Sequence, residues 1–256
     1  MSEAVELYLQ RLTAGDYGAL LASFAGAPSI DDPIHGRLRG RVQVQRFMRE
    51  HHVWLVERTV AVEPLRLTRN AERAVFEALL RIRHDGSNVE LPVAIVGEPP
   101  ADRVDAIRVY HSMWPLEGTH RVRAPLLRRD PSIVVGDIVG EYQRALASGD
   151  TDAIVATFEQ DGYFREPAGG PYVFRGRAEL WPFMYSLLST GGIGLEYCTA
   201  TDDGMACAIE FNAVRFGREL LEPQAGIAVY QRGRSGLLHA ARIYDDVNVE
   251  ALASRA

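Results

Sequence analysis

Six side chains in this sequence have the types and the spacing for proton transfer. Tyr8 lies near the start, Asp32 stands immediately before a proline, and Glu63 follows about 30 residues later. The series returns as Tyr142, Glu166 and Glu196, with Glu166 again immediately before a proline. Two carboxyl groups close together under an apolar cover are driven apart in acidity, one staying protonated while the other ionises. Such a pair titrates as a unit, so acid and base are not assigned to Asp32 and Glu63 individually. A phenol beside them would hydrogen-bond a substrate oxygen or orient a carboxyl.

The two series belong to one domain written twice. Tyr8-Leu-Gln-Arg-Leu-Thr-Ala-Gly-Asp16 aligns with Tyr142-Gln-Arg-Ala-Leu-Ala-Ser-Gly-Asp150 at an offset of 134. Phe24/Phe158, Pro33/Pro167, Arg81/Arg215, Arg108/Arg242 and Tyr110/Tyr244 keep that offset. Arg39-Gly40-Arg41 returns two residues further out, as Arg175-Gly176-Arg177, so the second copy carries a small insertion after Pro167. A repeat of this length is a duplicated domain and not a solenoid unit. Its bounds are read as 1–118 for the first domain, 119–131 for a linker and 132–256 for the second.

Each copy must position its carboxyls with the same elements. A helical stripe (Val5, Leu7 to Leu9, Leu12) stops at Gly15, and Asp16 then suits the N-cap of a short second helix, as Asp150 does in the other half. An extended piece ends at Asp32-Pro33 or Glu166-Pro167. A third helix follows Gly40 or Gly176, with Phe47-Met48 and Phe183-Met184 on its buried side. The rest reads as strands rich in Val, Ile, Leu and aromatics. They are expected near Val53–Thr68, Glu72–Arg83, Asn88–Val96 and Arg103–Trp114, then Gly194–Thr201, Met205–Phe216, Glu219–Gln231 and Leu237–Val247. Helices first and antiparallel strands afterwards predict an α+β domain, three helices under a curved sheet with a pocket between. Alternation on the last strand puts Ile107, Val109 and His111 on one face, and Ile243 and Asp245 on the matching face of the other half. Arg108 and Arg242 then point away, toward salt bridges or the contact between halves, and Asp31 turns opposite to Asp32 toward the surface.

Composition bounds the remaining classes. The chain has 256 residues, 47% hydrophobic, and a net charge of −6, so no global positive field recruits nucleic acid or an anionic membrane. The basic stretch from His120 to Arg129 reads as a solvated linker. The first residues suit an amphipathic helix rather than a signal peptide, and no apolar run reaches the length of a membrane span. Cys198 and Cys207 carry no metal-ligand spacing, which fits a reduced, cytoplasmic setting. No phosphate-binding glycine loop, Ser–His–Asp arrangement or zinc cluster is present in the sequence.

Tyr8, Gly15-Asp16 and Ser29-Ile-Asp-Asp32-Pro33, in this order and spacing, resemble ketosteroid isomerase and the wider SnoaL-like, nuclear-transport-factor-like superfamily. The resemblance covers nearly all of both copies and implies two tandem cone-shaped domains, each three helices packed in a curved, mostly antiparallel sheet. It implies an oxyanion hydrogen bond from Tyr8 or Tyr142 and a general base at Asp32 or Glu166. The isomerases' second oxyanion donor, a protonated aspartic acid, would fall at Ala94 and Ala228, which have nothing to donate. Steroid isomerisation is therefore not expected.

A tyrosine and two carboxylates in two fused domains resemble the epoxide hydrolases/cyclases of polyether antibiotic biosynthesis. That resemblance implies a hydrophobic, polyketide-like substrate, with no cofactor and no metal. Opening an epoxide with an internal hydroxyl needs one group to protonate the epoxide oxygen and another to take the hydroxyl proton. His111 and Asp245 would line the pockets as substrate-binding residues. The competing expectations are another SnoaL-like cyclase or lyase, in which one acid per site suffices, and a non-catalytic binding or scaffold protein. Fusion would also provide a pseudo-dimer within one chain, with a homodimer as a further option.

Overall fold

Helix α1 (Ala4–Ala14) ends where Gly15 turns left-handed at φ 67°, and Asp16 caps helix α2 (Tyr17–Ala22) by accepting from the Ala19 N–H at 3.0 Å. The computed structural model describes residues 3–244 and 246. It divides the chain into two units, Met1–His111 and Ser112–Ala256.

The first unit continues through β1 (Ser29–Asp32), β2 (Gly36–Arg39), α3 (Gly40–Arg58), β3 (Thr59–Arg69), β4 (Ala74–His84), β5 (Ser87–Glu98) and β6 (Ala106–Tyr110). Its sheet runs β2-β1-β6-β5-β4-β3, antiparallel except where β1 lies parallel to β6. That parallel pair places Ile30 opposite Ile107, one residue before Asp31 and Arg108. Asp32 therefore shares the helix-facing side of the sheet with Ile30, Ile107 and Val109. Tyr8, Leu9 and Leu12 of α1 and Phe47, Met48 and Leu55 of α3 are buried in the same unit. Each fully buried apolar side chain of this size contributes roughly 1.5–3 kcal/mol.

Two elements differ from the sequence expectation: the strand read as Arg103–Trp114 spans only Ala106–Tyr110, with Trp114 opening a short helix instead, and the third helix runs on. Val53 to Arg58 are helical, so α3 is six residues longer than read and the first long strand starts only at Thr59. Val44, Phe47, Met48 and Leu55 are its buried positions, spaced three, four and seven apart as a helix requires. The β-branched and aromatic residues around Trp54 imitate a strand, but burial of Leu55 follows the helical period. Asp31 does turn opposite to Asp32, yet it is buried, with Arg37 Nε 2.8 Å from its Oδ1. Arg108 makes the expected salt bridge, to Glu98 at 2.5 Å.

In the second unit, α4 (Trp114–Glu117) precedes α5 (Asp137–Ser148), α6 (Thr151–Ala156), β7 (Phe158–Arg165), β8 (Val173–Arg175), α7 (Gly176–Leu187), β9 (Ile193–Asp202), β10 (Ala206–Phe216), β11 (Glu219–Arg232) and β12 (Leu238–Ile243). The sheet order β8-β7-β12-β11-β10-β9, with β7 parallel to β12, repeats the first. Asp150 caps α6 at 2.9 Å, as its position in the repeat requires. The segment read as a linker packs on this sheet. Arg123 O accepts from Ala225 N at 2.8 Å, Leu127 O from Asn212 Nδ2 at 3.1 Å, and Asp130 N donates to Tyr197 O at 2.8 Å. Among the described residues no helix is long and apolar enough to cross a membrane.

Candidate active sites

In the first unit, Asp32 ends β1 and its proline starts a tight turn to β2. The turn aims three donors at one carboxylate oxygen: Ile34 N, His35 N and His35 Nδ1 each lie 2.9 Å from Oδ1. Burial alone would raise the Asp32 pKa. The His35 hydrogen bond and the charges of His51 and His111 overcome it and hold the carboxyl well below its usual range. Tyr8 is fully buried, and burial with the Asp32 charge pushes its phenol up, so it stays a neutral hydrogen-bonding group. His51, on α3, stacks between Phe47 (5.0 Å between ring centroids) and Trp54 (5.8 Å). Burial pushes its ring down to about 4, against the pull of Asp32.

Asp32 thus lies near enough to both Tyr8 and His111 for their charges to act on one another. His35 and His51 were missed by sequence reasoning. His51 could have been found by extending the helical period of α3, which carries it one turn beyond Phe47. His35 had a local signal: it stands three residues after an Asp-Pro turn, within reach of the aspartate. Asp32, His35 and His51 also present ligand atoms within 4.8 Å of one another, as do Glu159, Asp161 and His239. The first set is held by hydrogen bonds in which His35 Nδ1 is the donor, so that nitrogen has no lone pair to offer a cation.

Glu63 does not join Asp32. It pairs across the sheet with Leu79, on the face shared with Arg81, and Arg81 Nη2 lies 3.0 Å from its carboxylate. Arg81 also binds Glu90 at 2.8 Å, completing a half-exposed surface network. The period of two in β4 puts Leu80 and Ile82 inside and leaves these charges outside. In the first unit the strand register moves the position compared with the isomerases' second donor, whereas in the second Ala228 stays on the interior face, paired with Ile243 of the cavity wall. Ile95 pairs with Val109 and faces the helices, while Ala94 lies on the other face of the sheet, where it is also buried. The interior position is still apolar.

In the second unit, Glu166 follows β7 and lines a cavity of about 220 Å³. Tyr142, Phe164, Leu195, Phe211, Ile243 and His120 are among its walls. The insertion after Pro167 replaces the tight turn by a wider one, closed by Glu166 N to Tyr172 O at 3.0 Å and Gly169 N to Glu166 O at 3.1 Å. Among the described residues nothing donates a hydrogen bond to the Glu166 carboxylate. Burial raises its pKa, and the nearby His120 only partly opposes this. Tyr142 is fully buried, its phenol pushed up by burial, and its ring meets Tyr230 at 5.1 Å.

Glu196 stands outside this cavity. Ile193 and Leu195 line it, so Glu196 turns to the opposite face, where Arg129 lies 3.6 Å away. Asp245 lies outside the described residues. Among the described residues, each interior therefore has one carboxyl and one tyrosine from the predicted set.

No protein-family model matches the chain, and no curated protein does. Solved structures do. An NTF2-like protein of unknown function from Cytophaga hutchinsonii is 16% identical, with TM-score 0.35, over 42% of this chain and 95% of its own. A putative polyketide cyclase from Sinorhizobium meliloti is 23% identical, with TM-score 0.33, over 41% of this chain and 92% of its own. The epoxide hydrolase/cyclase-like enzyme SalBIII, of pyran ring formation in the polyether salinomycin, is 19% identical, with TM-score 0.36, over 44% and 90%. Each likeness spans less than half of this chain. Each unit has an α+β fold, three main helices against a six-stranded mixed sheet.

Proposed function

We propose that the chain is an acid–base enzyme for a hydrophobic, polyketide-like substrate, opening epoxides to form ether rings in secondary metabolism. The observation that carries this reading is the Glu166 carboxyl, raised by burial inside an apolar cavity that also holds the Tyr142 phenol. Burial makes this carboxyl hold its proton more readily than an ordinary glutamate, which suits a proton donor, and an apolar cavity strengthens its hydrogen bond to an epoxide oxygen. Tyr142 keeps its proton and supports the same oxygen as the ring opens. The apolar walls fold a flexible chain so that its hydroxyl approaches one epoxide carbon.

A second reading has its own observation. The first unit holds a carboxylate that stays ionised beside a neutral phenol, while Glu63 is held outside by Arg81. That set suits a base-driven step, such as an aldol-type ring closure. His51 would take the proton, the fixed Asp32 charge would stabilise the resulting imidazolium, and Tyr8 would hold the oxyanion.

Product analysis of a bis-epoxide polyene alcohol with wild type, Glu166→Gln and Asp32→Asn proteins tests both. Ring formation by wild type, stopped at one ring by Glu166→Gln, is the expected result. An unaltered bis-epoxide in the presence of wild type would reject epoxide opening and leave the base-driven reading ahead.

A further inference from the structure

The acid in the second cavity requires a partner that accepts a proton, and Glu196 is turned away from it. The segment after Ser112 provides a different residue. Asp246 is buried, its side chain 1% exposed, and four donors converge on it. Ser112 Oγ donates to Oδ1 at 2.5 Å, Met113 N and Arg121 N donate to Oδ2 at 3.1 and 3.0 Å, and His120 Nδ1 lies 3.0 Å from Oδ1. A carboxylate serving two backbone N–H groups and a hydroxyl is an acceptor throughout, so His120 Nδ1 must carry the hydrogen. This sets the neutral tautomer and leaves Nε2 as the atom with a lone pair. Trp114 stacks on the ring at 4.5 Å between centroids and fixes its plane. The same ring lines the Glu166 cavity.

We infer that His120, oriented by Asp246, is the proton acceptor that works opposite Glu166 in the second cavity, with a substrate hydroxyl as the group it deprotonates. The inference rests on the acid–base reading of that cavity. In the step, Nε2 takes the hydroxyl proton while the hydroxyl oxygen bonds to an epoxide carbon. The epoxide carbon–oxygen bond breaks, its electron pair stays on the oxygen, and that oxygen takes the Glu166 proton. Substrate and product are isomers. His120 ends as imidazolium and Glu166 as carboxylate, and the half-exposed histidine passes its proton back through solvent. Asp246 is a positioning residue: it fixes the tautomer and stabilises the imidazolium without touching substrate.

The test combines tautomer and turnover in the full chain, with a bishomoallylic epoxy alcohol carrying an apolar tail as the probe. Imidazole ¹H–¹⁵N correlation spectra should show His120 as the Nδ1–H tautomer, with its Nε2 resonance shifted by the probe; the peak is assigned by its loss in His120→Gln. His120→Gln should lower kcat on the probe about 100-fold with KM nearly unchanged, and Asp246→Asn should lower kcat while mixing the tautomers. Because Asp246→Asn disturbs four hydrogen bonds, His120→Gln with a wild-type thermal midpoint is the deciding variant. An active wild type with an Nε2–H ring, or with His120→Gln within twofold of it, overturns the inference and leaves the enzyme reading standing. A wild type that never converts the probe, while His120 shows the expected tautomer, sinks the acid–base reading itself and the catalytic role with it.

Discussion

Asp32 and Glu166 occupy the same place in the two repeats, each immediately before a proline at the end of its strand, yet their surroundings drive their protonation in opposite directions. Asp32 Oδ1 accepts from two backbone N–H groups and His35, whereas Glu166 meets an apolar cavity. The cause is local. The short turn after Pro33 folds its N–H groups back on Asp32, and the insertion after Pro167 widens that turn to Tyr172. Carbon-detected titration of the carboxyls should find Glu166 titrating above an ordinary glutamate and Asp32 still ionised well below an ordinary aspartate. Removing two residues between Gly169 and Tyr172 should bring the Glu166 value down, and an unchanged value would separate the insertion from the effect.

The exterior carboxylates provide a second check. Glu63 is held by Arg81 and Glu196 stands on the face away from the cavity. Glu63→Gln and Glu196→Gln should each keep turnover within about twofold and alter stability by no more than about 1 kcal/mol, the range of exposed ion pairs. A tenfold loss of turnover in either variant would restore the two-carboxylate site.

Stability should fall with acidity in a window set by His51. An unfolded histidine titrates near 6.5, and the folded ring is pushed down to about 4. The unfolded chain therefore binds a proton that the folded chain refuses, so stability is present above about pH 6.5 and is lost as pH falls toward 4. His35 is shifted upward and acts with the opposite sign, in the window above 6.5. The Asp32 contribution falls away only at lower pH, below the usual carboxylate range. Denaturation at a series of pH values should show a shallower slope between 6.5 and 4 in His51→Gln than in wild type. Equal slopes would mean that the ring is protonated in the folded protein.

Much of this site was legible because it was written twice. Tyr8 with Tyr142 and Asp32 with Glu166 stood out by recurrence, and the helix–strand order around them was set by Gly15, Asp16 and the prolines. Facing was harder to read. Glu63 and Glu196 have plausible spacing along the chain, but a strand reverses its side at every residue, and bulges on either side of Pro64 and near Ala213 shift the register. His120 was hidden for a different reason. It lies among arginines in a segment with no regular pattern, and its partner Asp246 is more than a hundred residues away. Only tertiary packing connects them.

Helix α3 gives the sharpest test of local structure, because two of its residues should respond with opposite signs. Val53 is 53% exposed in a stretch whose β-branched and aromatic residues resemble a strand. In a helix, Val53→Ala removes a β-branched side chain from the surface and should raise stability by up to about 0.6 kcal/mol. In a strand the same change would lower it, since alanine is depleted where valine is favoured. Leu55 is fully buried on the same helix, and Leu55→Ala should cost about 2–5 kcal/mol through lost contacts and the cavity left behind. Because this helix also carries His51, Leu55→Ala should release the ring from its Phe47–Trp54 stack and move its pKa back up toward 6.5. Urea denaturation and imidazole titration of the two variants read both effects, and a destabilising Val53→Ala would return Val53 to Arg58 to the strand.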